Sequence, residues 1–197
     1  MANAFITNDL ASRFLKLRDA ESQEGAVFLE TMITGALDWI SQHCDVLFGE
    51  SRITEEQSGG GLSLIPRWRP LRQVVSVTDL EGEVTYTADT DYELRRGGLV
   101  LIGGDRWPEG RGRWRIVYDA GYVPNELIAS TTTAADNVSS YPMPLALVMA
   151  GLHLIRREYD NRGGVQSESV QGWSANWDAL NDGQVTALLQ PYRRAGL

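Results

Sequence analysis

Nucleophiles and bases are scarce in this 197-residue chain: it has a single cysteine, Cys44, and two histidines, His43 and His153. His43 and Cys44 are adjacent, but helix neighbours point about 100° apart and cannot form a hydrogen-bonded dyad. Cys44 is therefore expected in a core, with His43 at its rim. So few histidines and cysteines offer no zinc-ligand spacing, and His153 is expected on the side of a helix beside Leu152. Carboxylates are the remaining ligand type. Asp89, Asp91 and Glu93 alternate along one strand face, as a calcium or magnesium site would need, and as a solvated face also shows. Ser58-Gly59-Gly60-Gly61 lacks the Gly-Lys-Ser/Thr ending of a phosphate loop and reads as a flexible turn. Gly163-Gly164 lacks the preceding strand of a dinucleotide fingerprint and reads as a hinge. The expectation is a chain with no catalytic residue, no metal and no cofactor.

Residues suited to contact are more plentiful. Of six tryptophans, Trp39 falls in a helical pattern and Trp114 in a strand, while Trp68, Trp107, Trp173 and Trp177 sit in polar, glycine-rich segments. Aromatic side chains in such settings give large contact area at low entropic cost. Arg67-Trp68-Arg69-Pro70 and Trp107-Pro108-Glu109-Gly110 read as exposed loops, so Arg67, Trp68, Arg69 and Trp107 are candidate contacts to a partner or to DNA. The net charge of -8 argues against an ordinary nucleic-acid-binding surface, which needs clustered Lys and Arg. It is compatible with a wall past which DNA slides, because an acidic wall repels phosphate.

These residues are positioned by an α+β chain whose periodicity changes twice. Thr7 or Asn8 can cap a short helix with Leu10, Phe14 and Leu17 on one side. A long helix over about 23–48 follows, with Leu29, Met32, Ile33, Ala36, Leu37, Ile40, Cys44 and Leu47 at helical spacing and a stop at Gly49. From 51 to 122 the period is two, predicting an inserted antiparallel β-meander with strands over 52–57, 74–80, 84–86, 92–94, 99–102 and 113–118. Glu81-Gly82 and Gly97-Gly98 read as tight hairpin turns in which glycine supplies positive φ. Residues 123–141 read as a flexible connection. A second core helix over about 144–160 carries Leu145, Val148, Met149, Leu152, Ile155 and Tyr159 on one stripe, with Arg156 and Arg157 in its last turns. The domain reading is a small helical bundle (1–50 and 142–162) around the β-insertion, then a C-terminal extended arm and short helix (163–197) in which Val185, Leu188, Leu189 and Tyr192 share a face.

About two-thirds or more of the unfolded surface of such a chain can be buried, so no disulfide framework is needed. Residues 1–10 lack a basic and an apolar leader region, and no run approaches the roughly eighteen apolar residues of a membrane span, so a soluble, non-secreted chain is expected.

The order of these features resembles the head–tail adaptor (head-completion, connector) proteins of tailed bacteriophages. Four stretches carry the likeness: Ile6-Thr7-Asn8-Asp9-Leu10 with the long helix ending Trp39-Ile40-Ser41-Gln42-His43-Cys44; the strand from Arg115 to Tyr122; the helix from Pro144 to Tyr159 with Val165-Gln166-Ser167-Glu168-Ser169-Val170 and the segment Trp173 to Trp177; and the ending Leu188-Leu189-Gln190-Pro191-Tyr192-Arg193-Arg194. Residues 130–141 and the β-insertion are longer than in small members, so no contact of theirs carries over. The resemblance implies a virion protein assembled in the host cytoplasm: a homo-oligomeric, dodecameric ring under the portal protein, with double-stranded DNA passing through its channel and a stopper or tail-completion protein docking below. It implies portal or subunit contacts at Glu168, Val170, Trp173, Trp177, Tyr192, Arg193 and Arg194, beyond a hinge at Gly163 and Gly164. Two other functions remain compatible with the sequence: a metal-dependent hydrolase using Asp89, Asp91 and Glu93, or a monomeric module binding through the β-insertion with Trp68 and Trp107.

Overall fold

A computed structural model describes residues 5–17, 23–95, 98–124, 141–161 and 183–193. The described residues form two compact units, one helical (5–17, 23–48, 124, 142–161 and 183–193) and one of antiparallel strands (49–95, 98–123 and 141). The hinge at Gly163 and Gly164, the arm, most of the 123–141 connection and the Gly97 side of the second hairpin lie outside the described residues.

In the helical unit, α1 (Asn8–Leu15) is capped by Thr7, whose hydroxyl accepts the Leu10 N–H at 3.1 Å. It closes where Lys16 turns left-handed, with its N–H on Arg13 O. Ala11 is its buried residue, and Leu10, expected on the packed side, is exposed. Helix α2 (Gln23–Cys44) buries Leu29, Met32, Ile33, Ala36, Leu37, Ile40 and Cys44, the stripe that the spacing predicts. It stops at Cys44 and not at Gly49, because Asp45 takes the left-handed position (φ 51°) and the Ser41 hydroxyl donates to Val46 O at 2.6 Å.

Helix α3 (Leu145–Asn161) packs against α1, α2 and α4 (Gly183–Leu189), and is the hub of this unit. It buries Leu147, Val148, Leu152, Leu154 and Ile155, a wider face than the predicted stripe, while Leu145 stands 71% exposed. Gly151 sits where the Ile6 side chain crosses: a Cβ there would come within 2.6 Å of Ile6 Cδ1. Arg156 and Arg157 lie in the turn before the final one of a helix that ends at Asn161, and Arg156 pairs with Asp160 one turn later. Val185 and Leu189 anchor α4, and a 3-10 turn (Gln190–Tyr192) follows it.

The β-unit comprises β1 (Ser51–Gln57), β2 (Ser63–Leu64), β3 (Leu71–Asp79), β4 (Val84–Tyr86), β5 (Tyr92–Arg95), β6 (Gly98–Leu101) and β7 (Trp114–Ala120). All pairings among them are antiparallel, in two sheets ordered β1-β7-β3-β4 and β2-β6-β5. This is not the simple meander of the sequence reading, because the last strand, β7, enters between β1 and β3. It alternates strictly: Trp114, Ile116, Tyr118 and Ala120 are fully buried, with Arg115 exposed between them. Trp107 meets Trp114 edge-on (4.8 Å, 73°), Tyr86 of β4 meets Trp114 at 5.1 Å, and Tyr92 of β5 reaches Trp107 at 6.3 Å, so this aromatic cluster ties the two sheets together.

Trp107 is therefore a core residue and not an exposed contact, a correction with a clear cause. Its indole donates to Leu99 O at 2.8 Å, and its main chain is laced to the glycine loop by Gly60 N–H to Trp107 O (2.7 Å) and Trp107 N–H to Gly61 O (2.9 Å). The Ser58–Gly61 turn is correspondingly a fitted seat for residues 107–110: a Cβ on Gly59 would lie 1.8 Å from Pro108 O. In the first hairpin turn Glu83, not Gly82, takes positive φ, and Gly82 instead leaves room for the Asp79 carboxylate.

That carboxylate, 4% exposed, holds Arg113 by two hydrogen bonds of 2.8 and 2.5 Å and accepts the N–H groups of Glu81 and Gly82. The bonds to Arg113 lead in holding its pKa at about 2, against an ordinary 3.8. A depressed carboxyl pKa stabilises the fold fully above the unfolded value, and that contribution disappears as pH falls from about 4 through 2. Urea titrations across that window should show the loss, and Asp79→Asn, costing about 3 kcal/mol at neutral pH, should flatten it; an unchanged acid profile would exclude the clamp. Gly59→Ala should cost about 1–3 kcal/mol by overpacking, while Gly183→Ala, with nothing within 4 Å, should be neutral or slightly stabilising in the same assay.

Candidate interaction surface

The candidate loop 67–69 is held by side chains placed by strand parity. On β1, Arg52, Thr54 and Glu56 are exposed while Ile53, Glu55 and Gln57 are half-buried, so two polar groups occupy the inward rank. The Gln57 amide acts as a surrogate peptide: its Nε2 donates to Ile65 O at 2.7 Å and its Oε1 accepts the Ile65 N–H at 3.1 Å. Glu55 Oε1 takes the Arg67 N–H at 3.1 Å and a bond from Gln57 at 2.5 Å. The Tyr118 hydroxyl of β7 donates to Glu55 Oε2 at 3.1 Å and accepts the Trp68 N–H at 3.2 Å. Burial, and then the Glu55 charge, push the Tyr118 phenol well above its ordinary pKa, so it stays a donor at neutral pH. After the cis Arg69-Pro70 bond, Pro70 O receives the Gly121 N–H at 3.0 Å.

The strapped loop presents the Arg67 guanidinium over the half-buried Trp68 ring at 4.9 Å, a cation–π pair. Leu62 and Ile65, earlier in the same stretch of chain, are 59% and 38% exposed. Arg69 is half-buried, and its Nη2 is buried without a hydrogen-bond partner. Arg67, Trp68 and Arg69 thus share one built loop, which Trp107 does not join. The surface holds no nucleophile, and what it does chemically is display a cation, an aromatic face and apolar side chains in a fixed arrangement. Glu55 and Gln57 went unnoticed in the sequence, although the signal was there: polar residues at the parity of Ile53 on a half-buried strand.

The remaining candidates have structural partners. His43 stacks flat on Trp39 (4.5 Å, 12°), with its pKa lowered by burial and then by Arg193, and Cys44 is buried. His153 lies edge-on to Phe14 at 5.5 Å. Asp91 accepts the Thr87 N–H at 2.6 Å, Glu93 pairs with Arg95, and Asp89 is an exposed turn residue at φ 61°. Among the described residues no group of three or more His, Cys, Asp or Glu could hold a metal ion. Tyr192 is half-buried and Arg193 exposed at the end of α4, whereas Glu168, Val170, Trp173, Trp177 and Arg194 lie outside the described residues.

With this geometry in view, the chain is an α+β protein of a helical unit and an antiparallel β-unit whose 67–69 loop is strapped in place by Glu55 and Tyr118. No protein-family model and no curated protein matches it. Solved structures do. A chain in the neck of an empty GTA particle computed with C6 symmetry has a TM-score of 0.56 at 15% identity, over 96% of this chain and 90% of that one. A chain in the virion of a native gene transfer agent (GTA) particle has 0.59 at 14%, over 100% and 94%. One in the neck of a native GTA particle computed with C12 symmetry has 0.53 at 15%, over 98% and 93%. At such identities the likeness establishes a shared fold, and it spans nearly the whole of each chain.

Tyr118→Phe should free the Trp68 amide and weaken the loop's attachment by about 1 kcal/mol. Hydrogen exchange at Arg67 and Trp68 should rise while β7 stays protected; unchanged exchange would show that Tyr118 and Glu55 do not hold the loop.

Proposed function

We propose that this chain is a structural neck protein of a phage-like particle, acting as a head–tail adaptor without catalytic activity. In this reading it forms a homo-oligomeric ring beneath the portal protein, extends the DNA channel, and offers its lower face to a stopper or tail-completion protein. The observation that carries the reading is the near full-length fold likeness, both units included, to chains from GTA necks computed with C6 and C12 symmetry. The site chemistry supports it. The described histidines, cysteine and strand carboxylates are spent on packing, turns and ion pairs, and the 67–69 loop is held by Glu55 and Tyr118 with Arg67 over Trp68. A negative chain of net charge -8 suits a channel wall that duplex DNA must pass without sticking. Glu168, Val170, Trp173, Trp177, Tyr192, Arg193 and Arg194 are the proposed contacts to the portal or to neighbouring copies, with Gly163 and Gly164 as the hinge.

Quantitative mass analysis of purified particles tests this. The chain should be present in a copy number matching a ring, and the combined variant Glu168→Ala, Val170→Ala, Trp173→Ala, Trp177→Ala, which leaves α4 in place, should give a folded core and heads that fail to take tails. Absence from particles, or normal tail joining by the substituted chain, would end the proposal.

A further inference from the structure

The four-stranded sheet ends in two unlike edges. β4 is short, Val84–Tyr86, whereas β1 runs for 7 residues with no proline, no lysine and no bulge against β7. Short or interrupted edges protect a sheet from pairing with another chain, and β1 is neither. The direction of its main-chain groups follows from the register. Gly49 N–H donates to Tyr122 O at 3.1 Å in the line that continues as Ser51 opposite Ala120, and opposed antiparallel residues alternate between bonded and unbonded pairs. Ser51, Ile53, Glu55 and Gln57 therefore bond β7, and the N–H and C=O groups of Arg52, Thr54 and Glu56 point away from it. The far side of β7 agrees, since Gly121 N–H on Pro70 O and Leu80 N–H on Arg113 O turn its other residues toward β3. The outward groups of β1 have no partner among the described residues.

We infer that the β1 edge takes a second copy of this chain, pairing antiparallel with the partner's β1 about a two-fold axis at Thr54. The edge is self-complementary in that register. Arg52 lies opposite the partner's Glu56, Thr54 opposite the partner's Thr54, and Glu56 opposite the partner's Arg52, each pair exchanging both of its outward main-chain hydrogen bonds. Bonding parity allows only slides of two residues, and these set Glu56 against the partner's Glu50 in one direction and Glu55 against the partner's Glu55 in the other. Like charges directly opposite are destabilising. The contact requires neither charge to be free. Arg52 keeps Asp119 through Nε and Nη2 at 2.8 and 2.9 Å, and Glu56 Oε1 keeps Arg115 at 2.9 Å, while both side chains stay exposed. Across the axis the row Asp119, Arg52 continues into the partner's Glu56 and the partner's Arg115, with charges alternating in sign. An isologous contact of this kind closes at two copies. It is a form of the free chain, distinct from a ring contact, and it stands or falls independently of the adaptor reading.

Thr54→Cys tests the register, because the axis sets the two substituted residues about 5.5 Å apart between Cα atoms, within disulfide reach. Ser51→Cys is the control. Ser51 lies opposite the partner's Gln57, so its two copies stand about 20 Å apart along the strands. The purified full chain is expected to sediment as a dimer; on oxidation Thr54→Cys should form a disulfide-linked dimer, and Ser51→Cys and the parent chain with its buried Cys44 should form none. Thr54→Pro removes an outward N–H and no bond to β7, a change that edge strands tolerate. It should raise the dimer dissociation constant by about tenfold or more with an unchanged circular dichroism spectrum. A monomeric parent chain, equal cross-linking at Ser51 and Thr54, or an oligomer indifferent to Thr54→Pro overturns the inference. If Thr54→Pro does not fold, the two cysteine variants decide the matter between them. Particles that hold the chain in ring number keep the adaptor reading in every one of these cases.

Discussion

Everything the β-unit shows to the outside depends on the burial of one face of β7. Trp114, Ile116, Tyr118 and Ala120 lose all contact with water on a strand that is paired on both sides, so its register is fixed by the pleat as well as by hydrogen bonds. A slip of one residue would put Arg115 and Asp119 into the core and the Tyr118 hydroxyl into solvent. From that fixed face two consequences run outward. At one end Trp114 holds the aromatic cluster that binds the second sheet and seats residues 107–110 on the glycine loop. At the other, Tyr118 and its partner Glu55 fix the main chain of Arg67 and Trp68. One hydrophobic strand face thus decides both the shape of the unit and the position of its 67–69 loop.

The helical unit is organised by a different constraint, the close approach of the Ile6 side chain to α3 at Gly151. The missing side chain lets Ile6 reach the α3 surface, and the long apolar stripe of α2 covers the rest. Here packing follows period 3.6 and needs few polar devices, whereas the β-unit, with shorter elements and more loop, relies on buried polar groups such as the Asp79–Arg113 pair. Such pairs add specificity of geometry more than net stability, which fits their position at a turn.

Much of this was legible from the sequence, for reasons that particular residues make plain. The α2 stripe is long and strictly periodic, and β7 alternates without a break, so both could be read directly. The order of strands could not, because period two says which residues face inward and nothing about which strand lies beside which. Trp107 misled because its neighbours Pro108, Glu109 and Gly110 are loop-forming residues, while the groups that bury it, Leu99 O and Gly60 N–H, are distant in sequence. β2 was missed because two residues carry no period. The Glu55 and Gln57 straps were visible as polar residues on an inward parity, but what they hold depends on a loop whose path only the fold reveals. The resemblance to head–tail adaptors came from the order of motifs, and the fold likeness to GTA neck chains spans both units.

The central claim is that this fold works as one member of a symmetric neck and not as a solitary molecule. A symmetry-averaged reconstruction of the neck of particles that carry this chain tests it most directly. The account predicts density for both units repeated around the symmetry axis of the neck. A neck whose density accommodates neither unit would contradict it.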